Sequence, residues 1–419
     1  MTDTKTVGTH DDLIALKPEG RFDVTCAACG TEQLSEGELL FQGIHIVAKH
    51  TCSQCVQTFY TTLPIGHDLL YPATFAEQGK RLSCDSTAVG WLIDPLLQSL
   101  FHGAAITVSI TKKGDTATDS AIILNCLDHV YGHVYTKLWN AIVLRRKYPD
   151  LHLIVFVPRA LAWLVPDDVP EIWIFDAPLK EMHRGIANLD AELKDRIQSL
   201  TNVWLSKAYT HLDLETIDLR KLHRTEPFDL SRFSNLKPTI TFVLREDRLW
   251  QPTHLEYFLF KVAVKFKLSR ALFVWRQNRR IARTARKIHR ELPFAEFFAV
   301  GLGMTGRLPQ LIHDRRKKAP TLDDEVLWCQ LYARSHIVIG VHGSNMLLPT
   351  SLSAGFIAIM PRYKIRHIAE DIAMVKSSRF LLFLGRHVDQ FASPTLVSQH
   401  AVSMIRYFPY VYKNATQSV

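Results

Sequence analysis

A chain of 419 residues is too long for one ordinary hydrophobic core, which predicts two domains and an appendage. Hydrophobic residues at 47% and charged residues at 22% are those of a soluble globular protein, and no apolar run reaches the ~20 residues of a membrane-spanning helix. The net charge of +9 points to anionic partners in general: nucleic acid, nucleotides or a membrane surface.

The start, "MTDTKTVGTHDD", is polar and has no signal-peptide core, which predicts a cytoplasmic protein. Cys26 and Cys29 form one C-x-x-C pair and Cys52 and Cys55 another, with strand-like sequence between them. Two such knuckles about two dozen residues apart are the pattern of a zinc ribbon, in which four thiolates hold one tetrahedral Zn2+ and leave no open position for chemistry. The ion is therefore expected to be structural. Cys84, Cys126 and Cys329 stand in apolar surroundings and read as core residues.

After an ill-defined segment, with a helix near "STAVGWLIDPLLQSLFHG" and a turn or linker at "TKKGDTATD", a βαβ rhythm begins. "SAIILNCL" and "LHLIVFV" read as buried strands around a helix at "VYTKLWNAIVLRRKY", and "EIWIFD" as a third strand. "DLSRFSNLKP" reads as a domain connection. A second rhythm follows: strand "TITFVLR", helix "PTHLEYFLFKVAVKF", strand "FAEFFAVGL", helix "LDDEVLWCQLYARS", strand "HIVIGV", then "GFIAIMP", "FLLFLG" and a last helix around Thr395–Tyr407. Short apolar strands alternating with helices imply parallel sheets covered on both faces. The expected architecture is α/β: two Rossmann-like, doubly wound domains facing each other, preceded by a small zinc ribbon. The expected boundaries are residues 1–64 for the ribbon, 65–235 and 236–395 for the two domains, and 396–419 for a closing helix and tail.

Within the second rhythm, "RQNRRIARTARKIHRE" places Arg276, Arg279, Arg280, Arg283, Arg286, Lys287 and Arg290 opposite Ile281, Ala285, Ile288 and Leu292. A solvated basic face and a contact with anionic headgroups or an acidic acceptor fit this pattern equally well.

Ligands of open parallel sheets bind beyond the carboxyl ends of the strands. Three strand ends carry suitable residues. His342, Gly343, Ser344 and Asn345 follow "HIVIGV" and open a helix whose first N–H groups suit a phosphate. A capped turn explains the Gly, Ser and Asn there but not His342. Arg245 and Arg248 leave "TITFVLR" beside Asp247, as a phosphate fork or a surface salt-bridge cluster. Asp128, His129 and His133 follow "SAIILNCL" and could supply a general base. "GLGMTG", Gly301–Gly306, fits G-x-G-x-x-G literally, but Pro309 follows and no good helix does, so it reads as a plain glycine-rich loop.

The stretch Leu322–Pro361 resembles the C-terminal signature of glycosyltransferase family 61 and its relatives, which include protein O-GlcNAc and plant xylosyl transferases. An acidic helix leads there to a strand, a His-Gly loop, a short apolar helix and a strand ending in proline. "YGHVYTKLWNAIVLRRKYPDL" looks like that family's first-domain element, and the resemblance spans roughly Ala121–Pro361. This sequence has Ser344 and Asn345 where the family usually has alanine and another small residue. The resemblance implies a GT-B fold and an inverting transfer of sugar from a nucleotide-sugar donor without a divalent metal held through Asp-x-Asp. It also implies that His342–Asn345 hold the diphosphate, that Arg245 is a further clamp, and that Glu325 supports the loop or the ribose.

The expected function is a cytoplasmic glycosyltransferase acting on a glycan, lipid-linked or protein acceptor, with a peripheral contact to anionic membrane through residues 276–290. The rival reading is a nucleic-acid-binding protein that uses the ribbon and the basic helix, a partner this chain is not expected to need. A third reading keeps the transferase fold as a scaffold without activity.

Overall fold

The computed structural model describes residues 11–18, 20–114, 118–374 and 378–417; the middle of the expected linker and the last two residues lie outside that range. The chain forms two compact units, Met1–Leu212 and Asp213–Val419, whereas the sequence reading places the division after residue 235.

The first unit opens with β1 (Leu13–Lys17), followed by a hairpin of β2 (Arg21–Thr25) and β3 (Glu32–Glu36). A meander of β4 (Glu38–Gln42), β5 (His45–Thr51), β6 (Thr58–Thr62), β7 (Thr74–Ala76) and β8 (Arg81–Ser83) makes a five-stranded sheet. The cysteine-bearing module thus runs on to Ser83, and β1 belongs to a different sheet. The expected helix before the linker is present as a π-turn, Val89–Ile93, continuing into Asp94–Phe101. The large sheet then adds β9 (Ser109–Lys113), β10 (Ser120–Asn125), β11 (His152–Pro158), β12 (Glu171–Asp176) and β13 (Asn202–Ser206), in the order β1-β13-β10-β11-β12-β9. β10 to β13 are parallel, and β1 and β9 close the edges antiparallel. β10 can be apolar without alternation because both of its faces are covered: Ala121, Ile122, Ile123 and Leu124 are all buried.

The second unit holds six parallel strands: β14 (Thr239–Arg245), β15 (Glu296–Leu302), β16 (Ile312–Asp314), β17 (Ile337–Val341), β18 (Phe356–Met360) and β19 (Gly385–Asp389). Their order is β16-β15-β14-β17-β18-β19, which, counting from β14, is 3-2-1-4-5-6, the order of dinucleotide-binding sheets. Counted from β10, the parallel strands of the first unit run 3-2-1-4. "FLLFLG", expected as a strand, is instead a helical turn, Leu381–Leu384, and the strand starts at its terminal glycine. "GLGMTG" leads into β16 and not into a helix, so no dinucleotide turn forms there. Glu246 accepts hydrogen bonds from Thr305 N and Oγ1 and ties that loop down.

The helix Ala271–Glu291 sets Ile281, Ala285 and Ile288 into the core of this unit, and the last helix, Pro394–Thr416, packs beside it through Val397, Ala401 and Phe408. Phe297 is wholly buried on β15, between Ile240 of β14 and Ile312 of the edge strand β16. Phe297→Ala is expected to destabilise the second unit by about 3–5 kcal/mol, because the cavity adds to the lost transfer energy. Denaturant melts that follow each unit separately should show this loss in the second transition alone.

Candidate functional site

Three constellations stand out. In the first, both cysteine knuckles repeat one local design. Cys26 O accepts from Gly30 N at 2.8 Å and Cys26 N donates to Thr31 O at 2.9 Å; Cys52 repeats both bonds with Val56 and Gln57 at 3.0 Å each. The fifth residue of each knuckle takes a left-handed conformation, Gly30 at φ +74° and Val56 at +61°. All four Sγ atoms lie within 4.8 Å of one another, with Cys26–Cys55 at 3.7 Å and Cys29–Cys52 at 3.6 Å. A tetrahedral ion with metal–sulfur bonds of about 2.3 Å needs edges of about 3.8 Å, so the donor set fits zinc. The charge argument agrees. Hydrogen bonding from Thr31 lowers Cys29 to about 6. The Gln57 N–H pulls Cys55 down, yet burial and the facing thiols push it up to about 12. Without a cation the cluster cannot carry four negative charges.

The second constellation sits at the carboxyl end of β10. Asp128 is fully buried, and its Oδ1 accepts from Val130 N at 3.0 Å, which turns the chain into the helix Tyr131–Lys147. His133 and Lys137 are one turn apart on that helix and face back to the carboxylate. His133 Nδ1 lies 3.2 Å from Oδ1, and Lys137 Nζ donates to Oδ2 at 3.0 Å and to Leu127 O at 2.9 Å. His67, from the turn Gly66–Leu69, brings Nε2 to 2.9 Å from Oδ2 and 3.1 Å from His133 Nδ1. Burial alone would raise the Asp128 carboxyl, but Lys137 and the two imidazoles hold it well below the usual carboxylate range. So strong an anion is a poor base and a good orienter. The His133 side chain is about one-third exposed, and its Nδ1 is the atom turned to the carboxylate. His129 stays at 3.5 Å from Asp128, outside hydrogen-bond geometry, and burial lowers its pKa. Of the three expected residues the structure joins Asp128 and His133, and it adds His67 and Lys137, which the sequence reading missed. His67, Asp128 and His133 together offer three ligand atoms to a cation, but Lys137 already neutralises Oδ2.

The third constellation lies where β14 and β17 part. Gly343 at φ +150° precedes the helix Ser344–Leu352, and no side chain caps that helix, so Ser344 and Asn345 do not make the capped turn. A Cβ on Gly343 would lie 1.6 Å from Arg248 Nη1: the guanidinium rests on the glycine and donates to His342 O at 3.1 Å. Among the described residues Arg248 has no carboxylate within ion-pair reach. Arg245 is different. Its Nε and Nη2 grip Asp247 at 2.7 and 2.6 Å, so it is an ion-paired residue in this structure and not an open clamp. His342 Nε2 donates to Asp371 Oδ2 at 2.8 Å, and His387 shares that carboxylate at 3.2 Å. Among the described residues the buried His342 Nδ1 and Asn345 Oδ1 have no hydrogen-bond partner. Beside the loop a cleft of about 280 Å³ is lined by Arg248, Gln251, Tyr257, Lys261, Tyr363 and Gln390 over an apolar floor of Val341 and Ile359. Glu325 stands in the first turn of the helix Leu322–Ala333, where burial and then Asp324 push its carboxyl up to about 7.

The basic helix also departs from expectation at one position. Arg280 is buried, stacked 4.5 Å from the Trp250 ring centroid and bonded to Ala392 O at 2.5 Å; the other arginines stay on the outer face.

No family model and no curated protein matches the chain. Among solved structures, it is similar to ADP-heptose LPS heptosyltransferase II of E. coli at 11% identity and a TM-score of 0.35, over 70% of this chain and 100% of that one. It is similar to a protein described as a UDP-N-acetylglucosamine 2-epimerase from Listeria monocytogenes at 9% and 0.29, over 66% and 72% of the two chains. The glycosyltransferase SnogD from Streptomyces nogalater follows at 11% and 0.24, over 66% and 74%. Agreement at this level assigns no activity to the chain.

Metal analysis of purified protein is expected to find one zinc per chain, lost with Cys26→Ser or Cys52→Ser; protein without zinc would contradict the ribbon. A second equivalent that survives those changes but not His133→Ala would place an ion on the Asp128 group.

Burial lowers His67 to about 4 in spite of Asp128 beside it. Because the folded value lies below the unfolded one, this histidine's contribution is complete above about pH 6.5 and is lost as the pH falls toward 4. The first unit should therefore lose stability across that window, and less steeply in His67→Gln. Equal slopes in urea titrations of the two proteins would count against it.

Proposed function

We propose that the chain is an inverting glycosyltransferase that moves a sugar from a nucleotide-sugar donor to a hydroxyl of a glycan, lipid-linked or protein acceptor. The observation that carries the reading is Arg248 lying on Gly343 at an uncapped helix start. Free N–H groups and a guanidinium without a carboxylate partner converge there beside a cleft with aromatic walls. Phosphate oxygens would take the N–H groups of the helix start and the Arg248 fork. Tyr257 and Tyr363 suit the flat base of a nucleoside. The same residues stabilise the charge that develops on the leaving diphosphate.

His342, fixed by Asp371, positions the loop. Glu325 takes the loop- or ribose-supporting role that the resemblance implies. In the transfer, the acceptor oxygen bonds to the anomeric carbon as its bond to the diphosphate breaks. A general base must take the acceptor proton, and within the first unit His133 is the candidate for that role, with Asp128 holding its ring and Lys137 holding Asp128. The zinc knuckles take no part in the chemistry.

Calorimetry with UDP, GDP, CMP and dTDP beside the plain nucleosides tests the donor site. Arg248→Ala is expected to weaken diphosphate binding roughly ten- to a hundredfold, the ~1.5–3 kcal/mol of a charge-assisted hydrogen bond, with nucleoside binding unchanged. Gly343→Val should do at least as much, since it displaces the guanidinium. Arg245→Ala should cost less, because Asp247 already holds that side chain. His133→Ala should leave nucleotide affinity intact and lower turnover. Diphosphate binding by Arg248→Ala equal to wild type would overturn the reading.

A further inference from the structure

From Tyr257 to Arg290 the sequence contains four lysines and seven arginines and no aspartate or glutamate. The structure folds this stretch into the helical hairpin His254–Lys265 and Ala271–Glu291. The first helix is anchored thinly, by Phe260 against Val274 and Leu249. Its outer side is apolar as well: Leu255, Phe258 and Leu259 fall at helical spacing, and Phe258 is 62% exposed. A helix that is apolar on both sides is built to be covered on both. The end of this helix and the turn that follows alternate apolar and cationic residues in the open, Val264-Lys265-Phe266-Lys267-Leu268, with Phe266 at 64% and Leu268 at 58% exposure.

The second helix continues the same surface. Leu272 and Trp275 begin an exposed stripe that goes on as Arg279, Arg283, Arg286 and Arg290 at alternating steps of four and three. The Arg279 guanidinium stacks 4.6 Å from the Trp275 ring centroid, at the junction of the apolar and basic parts. Among the described residues none of these four arginines has a carboxylate partner.

We infer that this hairpin is a docking surface for an anionic phospholipid bilayer: Phe258, Phe266, Leu268, Leu272 and Trp275 enter the interfacial layer while the lysines and arginines meet the headgroups. Charge complementarity selects the partner. A nucleic acid would pair with the arginines but would leave Phe258, Phe266 and Leu268 in water. A zwitterionic surface would leave the cations without counter-charge. Apolar insertion and basic attraction together are the two signals a stable peripheral anchor requires. The inference does not depend on the transferase reading. The inner side of the first helix, through Tyr257 and Lys261, lines the cleft described above, so a bilayer on its outer side would lie one helix thickness from that cleft.

The full-length protein tests this by co-sedimentation with vesicles of phosphatidylcholine containing roughly a third phosphatidylglycerol. Wild type should bind them, bind pure phosphatidylcholine at least tenfold more weakly, and release as salt rises. Arg279→Glu/Arg283→Glu/Arg286→Glu should lower the partition coefficient on the order of a hundredfold. Phe266→Ser/Leu268→Ser/Leu272→Ser should lower it on the order of tenfold at unchanged charge. All six positions are exposed, and the thermal melt of each variant should match wild type. Brominated acyl chains should quench a fluorescence component that Trp275→Phe removes. Failure of wild type to bind, or anionic binding that both triple variants retain, would overturn the inference. So would tight oligonucleotide binding lost only in the glutamate variant, with no vesicle binding, which would make the stripe a nucleic-acid surface.

Discussion

Crossovers between parallel strands are right-handed, so a chain can lay strands on both sides of its first one only by switching the face its helices cover. Each unit makes that switch once, between β10 and β13 in the first and between β14 and β17 in the second. At the switch two neighbouring loops leave in opposite directions, and the sheet edge between them cannot be closed by its own connections. The residues suited to chemistry gather at those two places: Asp128 and His133 after β10, and Arg248 and Gly343 after β14 and β17. In the first unit the crevice is partly filled by the turn that carries His67, whose neighbour Gly66 donates its N–H to Lys207 O just past β13.

Filling these places with charge has a cost that local geometry must offset. Asp128 and Lys137 are both nearly inaccessible, and a buried pair contributes little unless every remaining valence is met. Here Val130 N, Leu127 O and two imidazoles meet them, and the result is a rigid carboxylate that fixes the ring of His133. Arg280 is the counter-example. It is buried with no ion pair among the described residues and relies on the Trp250 ring and the Ala392 carbonyl; burial lowers its pKa to about 10 although the charge of Glu256 works the other way. On a helix whose basic face was read to include Arg280, that arginine therefore belongs to the core and the other arginines to the outside.

How much could be read beforehand followed the range of the interactions. β14 and the buried strands β10, β11, β17 and β18 are apolar runs with turn residues at both ends, and they lie where periodicity put them. The edge strand β9 is short and mostly polar and β16 has only three residues, so neither carries a run long enough to notice, whereas β1 does carry an apolar run, Leu13–Leu16, and its pairing with β13 is set by packing alone. The four cysteines were legible because metal-ligand spacing is local. His67 was not, since only packing brings "IGHDLL" to a carboxylate 61 positions further on. The loop at His342 was legible as a junction between a strand and a helix, but two of its details were not: Arg245 is paired with Asp247, and the glycine is required by Arg248 from a different strand end.

The net charge of +9 is not spread evenly along this chain. Remove the eleven cations of Tyr257–Arg290 and the remainder of the chain carries −2. Counted over the whole hairpin, His254–Glu291, the eleven cations less Glu256 and Glu291 give +9, so the positive excess of the chain equals the charge of this one hairpin. Near a negatively charged boundary such a molecule feels a torque as well as an attraction, and it arrives with the hairpin leading. Ionic strength would then govern how the protein is turned as it approaches, in addition to how tightly it is held.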